Sequence, residues 1–117
     1  MSALLKAQQE FAGDAARLVL KAEDLGFAVT LGEVLRPREL QDLYIQTGRS
    51  WAPNSRHLDK LAIDLQLFRG GEYLTDEEAY ADLGTWWEAL RPGLNKWGAS
   101  SGRPRRDANH FERRRPA

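Results

Sequence analysis

The chain has 117 residues, 17 basic and 17 acidic side chains, no cysteine and 42% hydrophobic residues. This length suits a single domain, residues 1–117, that buries a core without a disulfide or a structural metal. The lack of cysteine excludes a disulfide scaffold, a thiolate metal site and a cysteine nucleophile, and zero net charge excludes a global field that would gather nucleic acid.

Residues Ala3 to Asp24 predict an amphipathic helix. Leu4, Phe11, Ala15, Leu18, Ala22 and Leu25 recur at steps of three, four and seven and make one apolar stripe. The same segment is not a secretory signal, because Lys6, Gln8, Gln9, Glu10 and Asp14 interrupt it. The chain is therefore read as made and folded in a cytoplasm. No stretch approaches the ~18 apolar residues of a membrane span. Gly26 stops the helix, and "FAVTLGEVL", Phe27 to Leu35, predicts a strand. Pro37 opens a second helix with Leu40, Leu43, Tyr44 and Thr47 as its inner face, ended by Gly48. "RSWAPNS" reads as loop and "LAIDLQLF" as the main strand, followed by a hairpin turn at Gly70–Gly71. Thr75 and Glu78 predict a capping box for a third helix. Ala79, Leu83, Trp86, Trp87 and Leu90 share a side of that helix, which breaks at Pro92–Gly93. The tryptophan pair reads as core. "LNKWG" and "NHFER" are two short closing strands joined by a polar loop. Six arginines fall in the last fifteen residues: Arg103, Arg105, Arg106, Arg113, Arg114 and Arg115. They form either a solvated tail, frayed over 113–117, or an attractor for a polyanion. Interspersed helices and hairpins predict an α+β fold, a small antiparallel sheet flanked by about three helices.

One residue is out of place in this pattern. Alternation in "LAIDLQLF" puts Leu61, Ile63, Leu65 and Leu67 on a core face, and Ala62, Asp64, Gln66 and Phe68 on a mixed face suited to the floor of a cleft. A half-buried carboxylate is costly unless it is paired or metal-bound. The chain's two histidines, His57 and His110, each have a carboxylate at short range, Asp64 and Asp107. Two imidazoles and one carboxylate make a three-ligand set suited to Zn²⁺ with a fourth position open. A further carboxylate, Asp107 or Glu112, could move the proton of an attacking water. Spacing alone also allows the reading in which the histidines are surface or capping residues and Asp64 pairs with an arginine.

The order of residues goes further. "SRHLDKLAIDL" resembles the S-x-H-x-x-G-x-A-x-D signature of the zinc D-Ala-D-Ala dipeptidases and carboxypeptidases, a family that includes L-alanoyl-D-glutamate endopeptidases of phage endolysins. Ser55, His57, Ala62 and Asp64 match. "DANHFE" is similar to the family's closing D-x-x-H-[FW]-[EQ] motif through Asp107, His110, Phe111 and Glu112. "EVLRPRELQDLYIQTGRS" resembles an upstream motif of the endolysin branch through Arg36, Gln41, Leu43, Tyr44, Gly48, Arg49 and Ser50, and "LNKWGASSGRPRRD" resembles the Trp-Gly-Gly strand and loop before the last motif. The resemblance runs from about Val29 to Glu112. Lys60 stands where the first motif has glycine, Asn109 where the last has proline, and Ala99 for the second glycine of Trp-Gly-Gly.

The resemblance implies that His57, Asp64 and His110 bind zinc in a cleft on the sheet. Asp107 would act as general base and then acid, and Arg36 would steady the carbonyl's developing charge. Ser55, Glu112 and Gln41 would be supporting positions behind them. It implies one peptidase catalytic domain acting on peptidoglycan stem peptides, an L-alanoyl-D-glutamate endopeptidase serving as a phage endolysin. The alternatives are a D-Ala-D-Ala carboxypeptidase and, from another class, a non-catalytic domain holding a wall polymer or polyanion. The enzyme would be a monomer that binds no nucleic acid, is made in the host cytoplasm without a signal peptide, and reaches the wall in the periplasm after release. Lys60 marks the expected largest departure from the family pattern.

Overall fold

A computed structural model describes residues 1–35, 38–48, 55–103 and 105–117. Helix α1 spans Ala3–Asp24, as its apolar spacing predicts. Ser2 caps it by accepting from the Leu5 N–H, and the chain reverses through Gly26 at φ 93°. Asp14 is buried within the stripe, where Arg91 and Arg17 hold its carboxylate.

Strand β1, Ala28–Leu31, is shorter than the apolar run suggested. Gly32 and Glu33 nevertheless follow the neighbouring strand. The Gly32 N–H donates to Asp64 O at 2.7 Å, and the Asp64 N–H donates to Glu33 O at 3.0 Å. Helix α2 covers Arg38–Gln46. Its inner face is Leu40, Gln41 and Tyr44, with Gln41 fully buried, whereas Leu43 is 50% exposed and Thr47 lies outside. The expected face was therefore rotated by about one position, which a nine-residue helix with one polar buried residue permits.

A one-turn 3₁₀ helix, Arg56–Asp59, leads into β2, Ala62–Arg69. Gly70 and Gly71, both at positive φ, turn β2 into β3, Glu72–Tyr73, the backbone that a two-residue hairpin loop demands. Helix α3 is Glu77–Leu90. Its cap position is Asp76, without a side-chain capping bond, so the Thr75–Glu78 capping box does not form. The helix starts a residue later than the box requires. Glu77 and Glu78 still place negative charge at its positive end. Trp87 is fully buried and meets the rings of Phe11 and Phe111 edge-on at 5.9 and 6.2 Å, so the tryptophan expected in the core is there. Strands β4, Asn95–Trp97, and β5, His110–Arg113, close the chain.

Among the described residues there are three α-helices and a five-stranded antiparallel sheet, an α+β fold. The sheet order is β1-β2-β5-β4, with β3 also on β2. Leu61, just before β2, and Ile63, Leu65 and Leu67 of β2 form the core with α1 and α3, as alternation required. The other face carries Asp64 opposite His110 and Glu112 opposite Lys96. The basic run begins as structure rather than as a frayed tail. Arg113 is buried and paired with Glu10 at 2.9 Å, the Arg114 N–H donates to Leu94 O, and Arg115 pairs with Asp59. No described helix is long and apolar enough to cross a membrane.

Candidate metal centre

His57 enters from the 3₁₀ turn, Asp64 from the middle of β2 and His110 from the start of β5. Asp64 and His110 are Cα partners in the antiparallel ladder, so their side chains leave one face side by side. One potential ligand atom from each of the three residues lies within 4.8 Å of the others. Asp64 Oδ1 is 3.2 Å from His57 Nε2 and 3.3 Å from His110 Nδ1, and the imidazole centroids are 5.1 Å apart.

The outer partners assign the protons. His57 Nδ1 lies 3.0 Å from the Val34 carbonyl oxygen, which only accepts, so Nδ1 carries a hydrogen and the lone pair of a neutral ring is on Nε2. His110 Nε2 lies 2.8 Å from Glu112 Oε1, which leaves the lone pair of a neutral ring on Nδ1. Two lone pairs and a carboxylate oxygen then converge with no donor among them. Such a set requires a proton or a cation, and its N₂O composition and outer hydrogen bonds fit a divalent metal such as Zn²⁺.

The electrostatics of the metal-free protein say the same. Burial alone would raise the Asp64 carboxyl, but its close contacts with the His110 and His57 rings hold it far below the usual range. Burial would lower His110, yet Asp64 and Glu112 push it up to about 9, while the same His110 contact outweighs burial and draws Glu112 down to about 2. A proton thus occupies the place a cation would take.

Asp107 is exposed as a residue, and partial desolvation of its carboxyl raises its pKa against the opposing pull of His110. Its backbone is pinned to the centre, because the Asp107 N–H donates to Gly98 O and the His110 N–H donates to Asp107 O. Glu112, the other expected proton carrier, is engaged by His110 and by Arg103 at 3.0 Å, which makes it a support for the histidine. Ser55 does not reach the centre with its hydroxyl. It accepts from the His57 N–H at 3.3 Å and caps the 3₁₀ turn. Gln41 is buried on α2. Arg36, with Arg49 and Ser50 of the same upstream motif, lies outside the described residues.

The same fold is found in an L-Ala D-Glu endopeptidase. The crystal structure of ChiX from Serratia marcescens matches with a TM-score of 0.69 and 24% sequence identity, covering 87% of this chain and 79% of that one. At this identity the likeness is one of fold. No family model and no curated protein sequence matches the chain.

Two glycines that spacing did not single out shape the centre. A Cβ on Gly98 would overlap the Asp107 carbonyl and come within 2.8 Å of His110 Cβ, so only glycine lets Asp107 and His110 arrive together. A Cβ on Gly32 would lie 2.8 Å from Asp64 Cβ. A glycine inside a strand pattern is the sequence signal of such a close approach. Lys60 adopts φ 57°, ψ 37°, the left-handed conformation. The backbone shape that a glycine would give is kept, and the expected departure is one of strain rather than of path.

Proposed function

We propose that this protein is a zinc-dependent metallopeptidase that hydrolyses a peptide bond in bacterial peptidoglycan stem peptides, as an L-alanoyl-D-glutamate endopeptidase of the endolysin type. The carrying observation is the convergence of His57 Nε2, Asp64 Oδ1 and His110 Nδ1, with both imidazoles oriented by outer partners and, in the neutral rings, no donor between the three. Likeness in fold to a peptidase named for that bond supports the substrate class. The endolysin assignment rests on the residues around Gln41, Tyr44 and Gly48.

In this reading His57, Asp64 and His110 hold Zn²⁺, which supplies Lewis acidity at the scissile carbonyl. Asp107, with its basicity raised by partial desolvation, takes a proton from the attacking water and delivers it to the leaving amine. Arg36 offers a guanidinium to the developing oxyanion. Glu112 and the Val34 carbonyl keep both imidazoles in the tautomers the metal needs.

The test is digestion of purified peptidoglycan by the zinc-loaded protein, with the fragments read by mass spectrometry. Cleavage between L-Ala and D-Glu is expected, with loss on chelation and recovery on adding Zn²⁺. Release of terminal D-Ala alone would reassign the enzyme as a carboxypeptidase. Absence of hydrolysis with wall binding retained would assign a non-catalytic domain.

A further inference from the structure

Along β5, Glu112 follows His110 on the same face, and Lys96 of β4 is its Cα partner. One strand repeat from the metal cluster, roughly 7 Å, the sheet face opens into a groove of about 470 Å³. That volume is within the range of ligand sites. Arg56, Lys96, Arg103 and Arg114 line it, against two carboxylates, Glu88 and Glu112. Both carboxylates have partners: Glu88 accepts from the Trp97 N–H at 3.0 Å, and Glu112 from His110 and Arg103. The cations are less fully matched. Arg56 Nε is buried without a hydrogen-bond partner among the described residues, its nearest carboxylate oxygen being Glu112 Oε2 at 4.0 Å. Lys96 and Arg114 are exposed and make no ion pair among the described residues.

We propose that this groove is a subsite for a free carboxylate of the substrate peptide, borne by an acidic residue close to the scissile bond and held by Arg56, Lys96 and Arg114. The inference rests on the peptidase reading for the identity of its ligand. A carboxylate there meets surplus positive charge beside a partly desolvated guanidinium, where charge-assisted hydrogen bonds are strong. Arg103 is already committed to Glu112, so it braces that carboxylate in the groove lining rather than holding the ligand.

The experiment uses the full zinc-loaded chain and two forms of one synthetic peptide containing the L-Ala–γ-D-Glu bond, with its carboxylates free or converted to amides. Binding is measured calorimetrically in an Asp107→Asn background, which stops turnover. The free acid should bind about tenfold tighter than the amide. A Lys96→Gln/Arg114→Gln double variant should lose that preference while keeping its affinity for the amide, and Lys96→Arg should retain it. In the otherwise native chain the double variant should raise KM for the acid about tenfold and leave kcat unchanged. An acid-over-amide preference that is the same in parent and double variant, or failure of the acid to bind, overturns the subsite. If neither peptide is cut but the variant-sensitive preference persists, the groove stands and the peptidase reading falls.

Discussion

His110 is held between two carboxylates, and that decides how the centre answers pH. Its pKa in the metal-free fold is about 9, against 6.5 for a free imidazole. A metal must displace this proton, so zinc affinity measured by calorimetry should climb from about pH 6.5 to about pH 9, with proton release on binding. A pH-independent affinity would remove His110 from the ligand set. The sign for stability is opposite. The raised His110 contributes stability in full below pH 6.5 and loses it as pH rises toward 9. Glu112, lowered from 4.5 to about 2, contributes above pH 4.5 and loses it as pH falls toward 2. Thermal unfolding in chelator should therefore show this cluster most stabilising between pH 4.5 and 6.5. Asp107 supplies a separate test. Asp107→Ala should lower kcat by about 10²–10⁴-fold yet bind zinc as the parent does. Retained turnover would take the proton-transfer role from it.

The elements that carry these residues were legible to different degrees. Strand β2 could be read from "LAIDLQLF" because alternation reports directly which side chains are core, and Asp64 stood out against it. The rotated face of α2 and the missing capping box could not be read. Both depend on a shift of one residue, which local propensity does not resolve. The turn before β2 permits a direct measurement. Lys60 holds a left-handed conformation that costs a non-glycine residue about 1 kcal/mol. Lys60→Gly should therefore raise unfolding free energy by roughly 0.5–1 kcal/mol in denaturant titration, with the His57–Asp64–His110 cluster intact. Gly98→Ala should act in the other direction. Its Cβ displaces the Asp107 carbonyl, so kcat should fall more than zinc affinity does, as the kinetics of the zinc-loaded variant will show.

At the scale of the whole molecule, α1 and α3 cover one face of the sheet, and the other face carries Asp64, His110 and Glu112. Their relative placement is fixed by buried aromatic packing and by Asp14, 1% exposed, bound to Arg91 beyond the end of α3. Asp14→Ala should cost about 2 kcal/mol in unfolding free energy, less than a fully buried pair because Arg91 can regain water. Unchanged stability in that variant would make the pair incidental. The sequence by itself determined the helix periods, the β2 alternation and the two histidine-bearing motifs, because these are local patterns of side-chain chemistry. Only the tertiary structure decided that Asp64 and His110, 46 positions apart, would be ladder partners, that Val34 and Glu112 would set the two imidazole tautomers, and that Arg103, Arg106, Arg113 and Arg115 would pair with carboxylates. Those contacts join segments far apart in the chain. Their geometry follows from sheet register and helix packing, which no short stretch of residues encodes alone.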